Sequence, residues 1–123
     1  MLQAVWIEIP VKDIERAMKF YAAVFEFEPT DIVKEDVRLS AMLVNAGEGD
    51  ISPGISLTQT KDFDPGTKGP LVYLNTDKME SYIERVKAAG GKVVTGKTSM
   101  GSAGFYGLFE DTEGNLLSLY AFE

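Results

Sequence analysis

Val5-Trp6-Ile7-Glu8-Ile9 sets an indole and a carboxylate at alternate positions among branched aliphatic residues. Successive side chains of a strand point to opposite faces. Val5, Ile7 and Ile9 are therefore expected to pack beneath a helix, while Trp6 and Glu8 project together from the other face. That pair suits recognition of a small ligand. The carboxylate can hold a cation or, if its surroundings keep it neutral, pass a proton. The indole offers a flat apolar surface that also attracts cations. The plainer readings are a carboxylate that is solvated, or bonded to a backbone N–H or to an arginine across a dimer interface, and an indole that only packs.

Composition removes other chemistries. The chain of 123 residues has no cysteine and no histidine. Disulfides, thiolate nucleophiles and Ser/His/Asp or Cys/His sets are therefore excluded, as are the commonest general base and transition-metal ligand. No spacing among the acidic residues singles out a carboxylate pair for glycoside chemistry. The glycines match neither phosphate-binding fingerprint. Twelve basic against nineteen acidic residues give a net charge of −7, which argues against nucleic acid and anionic membranes as partners. No apolar run approaches a membrane span and the N-terminus lacks a signal-like pattern, so a cytoplasmic protein is expected.

The elements that must position these residues recur. Residues 5–25 and 69–89 share a short apolar strand, an aspartate and an amphipathic helix, and aligning Asp13 with Asp77 gives an offset of 64. Gly54-Ile55-Ser56-Leu57 resembles Leu116-Leu117-Ser118-Leu119 at an offset of 62. The chain is therefore read as one domain of two βαβββ modules, about 1–62 and 70–123, joined by a Pro- and Gly-rich linker at about 63–69.

In the first helix Asp13 is the expected N-cap, with Ile14, Ala17, Met18, Tyr21, Val24 and Phe25 as its apolar stripe. The second is expected to start at Asp77, with Glu80 completing a capping box and Gly90-Gly91 ending it. Further strands are expected near 27–33, 38–46, 51–59, 69–75, 92–98, 103–110 and 115–121. Residues 98–104 are read as a hairpin connection rather than a gate, and the charged stretch 31–38 as a solvated loop and strand edge. With the helices on one face, the sheet's other face lines a cup. The expected cup residues are Trp6, Glu8, Ser56, Thr58, Val72, Leu74, Ser118 and Tyr120.

The run Ile9-Pro10-Val11-Lys12-Asp13-Ile14-Glu15-Arg16-Ala17, followed by Phe20-Tyr21 and Val24-Phe25, resembles the opening of the glyoxalase/bleomycin-resistance/dioxygenase proteins, the vicinal oxygen chelate superfamily. Asp111-Thr112-Glu113-Gly114-Asn115 resembles the Asp-Pro-Asp-Gly-Asn turn near their C-termini. The resemblance implies an α+β fold of paired βαβββ modules in a curved mixed sheet around a ligand cup, commonly as a homodimer. It also implies a divalent metal held by histidine and glutamate. At the corresponding positions stand Trp6, Pro70, about Ser56, and Ser118. Indole and pyrrolidine do not bind cations and serine hydroxyls are poor ligands, so neither a metal nor another cofactor is expected.

Two functions remain open from the sequence: a metal-independent protein binding a cationic or aromatic small molecule, and a lyase or isomerase using Glu8 as its catalytic proton-transfer group. A ligand-sensing regulatory module is a third.

Overall fold

The computed structural model describes residues 2–45 and 53–123. Its elements run β1 (Trp6–Pro10), α1 (Ile14–Phe25), β2 (Ile32–Glu35), β3 (Arg38–Val44), β4 (Gly54–Gln59), β5 (Tyr73–Asn75), α2 (Met79–Ala88), β6 (Lys92–Ser99), β7 (Phe105–Glu110) and β8 (Leu116–Ala121). Strand, helix and three strands thus occur twice in an α+β fold. The strands form two four-stranded sheets, ordered β1-β4-β3-β2 and β5-β8-β7-β6. In each, the first strand runs parallel to the last and the other pairs are antiparallel. Residue 46 of the strand expected at 38–46, and residues 51 and 52 of that expected at 51–59, lie outside the described residues. Among the described residues no helix is long and apolar enough to cross a membrane.

Asp13 caps α1 as expected, its carboxylate accepting the Arg16 N–H at 3.1 Å. The apolar stripe of that helix is buried except for Phe25, which is partly buried; Tyr21 and Val24 are at 0% exposure. The second helix starts later than expected. Its N-cap is Lys78, which makes no side-chain capping bond, and the Lys78 N–H goes to Thr76 Oγ1 at 2.9 Å. Helix starts at Ile14 and Met79 set the modules 65 apart, one more than the Asp13–Asp77 alignment. At the other end, Gly90 takes a φ of 96° and Gly91 N–H bonds the Val86 carbonyl at 2.9 Å, a Schellman-type stop.

Two strands are shorter than expected. Residues 27–31 are irregular, with Pro29 unable to donate to a ladder. Only Tyr73–Asn75 pair within the expected 69–75 strand, since Gly69 has a φ of 101° and Pro70 lacks an N–H.

Both helices contribute to one apolar core. Ile9, Ile55 and Leu57 enter it from the first sheet, Phe109, Leu117 and Leu119 from the second, and Phe20, Tyr21, Met79 and Val86 from the helices. Phe20 reaches across to Phe109 with ring centroids 6.3 Å apart, and Phe25 meets Tyr82 edge-on at 5.0 Å. Burial of such side chains is the main stabilising term.

Candidate functional site

Within β1, Ile9 is buried and Ile7 packs against the core, whereas Glu8 and Trp6 lie on the opposite face. Val5, expected beneath the helix with them, precedes the strand and is exposed. In the parallel β1–β4 ladder Glu8 stands beside Ser56 and Pro10 beside Thr58. On β3, Met42 pairs with Ser56 and Ser40 with Thr58. Trp6, Glu8, Ser40 and Ser56, together with Glu35 and Arg38, line a hollow of about 230 Å³.

The floor of this hollow is polar. Ser56 and Thr58 are buried, and their hydroxyl oxygens share a hydrogen bond at 3.2 Å. Above it, the Arg38 guanidinium donates to both carboxylate oxygens of Glu8, and the two side chains keep 44% and 30% of their surface exposed. Trp6 remains 48% exposed where it lines the hollow. The arrangement offers a polarisable ring, two carboxylates and one cation within a small space.

The remaining sequence-derived candidates lie elsewhere. Ser118 and Tyr120 sit on the second sheet, paired with Tyr73 and Asn75 respectively. Ser118 is fully buried, its hydroxyl directed at the Gly107 and Leu119 carbonyls at 3.3 and 3.1 Å. The Tyr120 hydroxyl donates to the Ala103 carbonyl. Neither residue lines the Trp6–Glu8 hollow.

Val72 and Leu74 do not line the Trp6–Glu8 hollow, although Val72 borders a separate depression of about 270 Å³ that Glu8 also borders. Leu74 pairs with Leu119, which is wholly buried beneath the helices, and both Val72 and Leu74 pack against the core. The one-residue error in aligning the modules inverted this strand's parity, as a shift of one always does. Tyr73, which shares the Ser118 face, is the residue that alternation exposes instead.

Arg38 and Glu35 were hidden in a stretch read only as a solvated edge. Their signal is topological: the β2–β3 hairpin pairs Glu35 with Arg38, and β3 lies one strand removed from β1. Residues 99–104 form a short connection, closed by a 2.7 Å bond from Met100 N–H to the Gly104 carbonyl.

Larger depressions exist. One of about 500 Å³ is mainly apolar, between Phe25, Phe27, Leu43, Leu74 and Tyr82. Another of about 650 Å³ lies near Asn75, Asp77 and Phe122. Neither gathers opposed charges and an exposed aromatic ring as the smaller hollow does.

The side chains do not fit the divalent ion that the sequence resemblance implies. The Ser56 and Ser118 hydroxyls are already hydrogen-bonded, Trp6 carries an indole, and Pro70 offers no donor. Correcting the module offset replaces Pro70 by Leu71, which is no better. Among the described residues no three His, Cys, Asp or Glu side chains come together as a metal-binding group.

The turn after β7 has a separate, structural role. Asp111 Oδ1 accepts the Glu113 and Asn115 N–H groups at 2.8 and 2.9 Å, and its Oδ2 accepts the Tyr21 hydroxyl at 2.7 Å. Asn115 reaches the Pro10 carbonyl at 2.7 Å. These bonds join the second module's turn to the first module.

A family model described as the Glyoxalase/Bleomycin resistance protein/Dioxygenase superfamily matches residues 3–119. A "Glyoxylase-like domain-containing protein" of Didymella fabae is 34% identical over 110 residues, covering 89% of this chain and 85% of that protein. Among solved structures, a glyoxylase/bleomycin resistance protein/dioxygenase domain from Frankia sp. EAN1pec superposes with a TM-score of 0.74 at 14% identity, covering 98% of each chain. A glyoxalase-related enzyme from Fulvimarina pelagi gives 0.72 at 15% identity, covering 98% of this chain and 88% of its own.

Proposed function

Since the chain belongs to the glyoxalase/bleomycin resistance protein/dioxygenase superfamily, we propose that it binds a small aromatic ligand carrying a cationic group, without a divalent metal, in the hollow lined by Trp6 and Glu8. One observation carries this reading: an exposed indole and two carboxylates, Glu8 and Glu35, converge on one hollow. A π-face beside carboxylates is a composition that attracts cations. The mismatch of Trp6, Ser56 and Ser118 with a metal site supports the metal-independent part.

The same geometry favours binding over proton transfer by Glu8. Both of its oxygens accept from Arg38, so the carboxylate is engaged as an ion-paired acceptor rather than held ready to take a substrate proton. A homodimer completes the proposal. Strands β1 and β5 end their sheets, and sheet edges of this kind favour association.

Thermal unfolding with a panel of cationic aromatic amines and small 2-oxo compounds, all in excess EDTA, tests the reading. A ligand that binds the folded state raises the midpoint by mass action. A rise with the cationic aromatics that Trp6→Ala and Glu8→Gln both diminish is expected. A rise only after a divalent metal is supplied, or turnover of an oxo compound abolished by Glu8→Gln, would replace it with an enzymatic reading.

A further inference from the structure

We propose that Arg38 is a cation lid on the Trp6–Glu8 hollow: it occupies the place on Glu8 that a ligand's cationic group takes, and it must swing away for that group to bind. The proposal rests on the cation-binding reading above and adds the residue that sets its selectivity.

Sheet order supplies the first argument. Strand β4 lies between β3 and β1, yet the Arg38 guanidinium on β3 reaches both oxygens of Glu8 on β1. The arginine side chain therefore crosses above β4. Ser56 and Thr58 on that strand are small, and they are nevertheless 2% and 0% exposed. Ser56 lines the hollow together with the crossing arginine and its carboxylate partner.

Attachment supplies the second. Arg38 begins β3 directly after the β2–β3 turn, where Asp36 adopts a φ of 57°. All four residues of β2 are exposed. Among the described residues the guanidinium has Glu8 as its hydrogen-bonding partner, and a half-exposed pair of this kind costs little to break. Among the described residues the lid is held by its ion pair with Glu8, on a long flexible stem.

Size and charge supply the third. A hollow of about 230 Å³ is smaller than the usual ligand cavity of roughly 300–1,000 Å³, so movement of a wall lets an aromatic ligand sit deeper in it. Departure of Arg38 enlarges the space and leaves Glu8 and Glu35 facing the indole. An anion that instead drew Arg38 toward itself would sit beside those two carboxylates and be repelled. The lid therefore admits cations able to displace a guanidinium and disfavours anions.

Calorimetric titration at low salt tests this, using benzyltrimethylammonium as the cationic probe and benzoate as its anionic counterpart. Arg38→Met, which keeps the stem and removes the charge, should tighten the cation about 1.5-fold to fivefold, the range set by losing one exposed ion pair. Arg38→Ala serves as a second variant with the same expectation. In the Glu8→Gln/Arg38→Met double variant the gain should vanish. If native protein binds the cation and neither Arg38 variant tightens it, the lid is refuted while the cation site stands. Benzoate binding that Arg38→Met destroys would make Arg38 an anion anchor and refute the lid. Failure of native protein and of both folded Arg38 variants to bind the cation would refute the lid and the cation site together.

Discussion

The Arg16 guanidinium and the Glu113 carboxylate, 97 residues apart in sequence, meet through two hydrogen bonds of 2.7 and 3.0 Å. The Glu113 side chain is fully buried and also accepts the Lys12 and Asp13 N–H groups, each at 2.9 Å, and the Thr112 hydroxyl at 3.0 Å. It fastens the β7–β8 turn to the entry of α1. Glu113→Ala strands several donors, and a loss of about 2–4 kcal/mol is expected from unsatisfied buried groups. Urea unfolding should show a lower midpoint at unchanged slope. Glu113→Gln keeps an acceptor but can turn an amide N–H toward Arg16, and should fall between native and Ala.

The same carboxylate should make stability acid-sensitive. Burial disfavours its charged form, but the hydrogen bonds from Arg16, Asp13, Thr112 and Lys12 outweigh burial and hold its pKa below the usual 4.5. As pH falls, the unfolded chain takes up this proton first, so folding is penalised. The contribution is whole above the ordinary glutamate value and fades as pH falls through the lowered folded one. Denaturation at about pH 6 and about pH 3.5 should therefore show a smaller acid loss in Glu113→Gln than in native protein. Equal losses would assign the acid sensitivity to other groups.

Tyr21 anchors the other half of this cluster. It is wholly buried, and its hydroxyl donates to Asp111 Oδ2 at 2.7 Å. Burial, reinforced by the Asp111 carboxylate, raises its pKa well above 10. Tyr21→Phe should cost about 1–3 kcal/mol, the range for a buried bond to a carboxylate. Because the unfolded tyrosine ionises first as pH rises, native stability should decline above about pH 10, and less steeply in Tyr21→Phe. The two unfolding curves compared at neutral and alkaline pH check both statements.

Backbone approach constrains Gly91. A Cβ there would lie 2.7 Å from the Glu110 carbonyl oxygen and from the Phe20 ring, and 2.9 Å from Val86 Cγ1. Gly91→Ala should destabilise by about 1–3 kcal/mol through overpacking. Gly96→Ala, with nothing within 4 Å of its added carbon, is the matched control and should be near neutral. Thermal midpoints of the two variants separate a local steric effect from a general loss of glycine.

The duplicated α+β plan was legible because apolar spacing differs sharply between the helices and strands, and because Asp13 has the side chain a cap needs. The face of Trp6 and Glu8 was legible from simple alternation with Ile7 and Ile9. The faces of Val72 and Leu74 were not. Asp77 is as good a capping residue as Asp13, yet the helix begins one residue further on, and that single step turns β5 over. Arg38 was illegible for a different reason: its contact with Glu8 spans a strand that is distant from both in sequence. The role of Glu113 in the Asp111–Asn115 turn likewise depends on the helix entry it meets, which turn chemistry alone does not reveal.

The chain contains one tryptophan, Trp6, so its emission reports directly on the proposed hollow. Titration with benzyltrimethylammonium in excess EDTA should change that emission saturably, and Glu8→Gln should weaken the response. Emission that stays constant to saturating probe, or that responds only once a divalent metal is added, would contradict metal-independent cation binding beside Trp6.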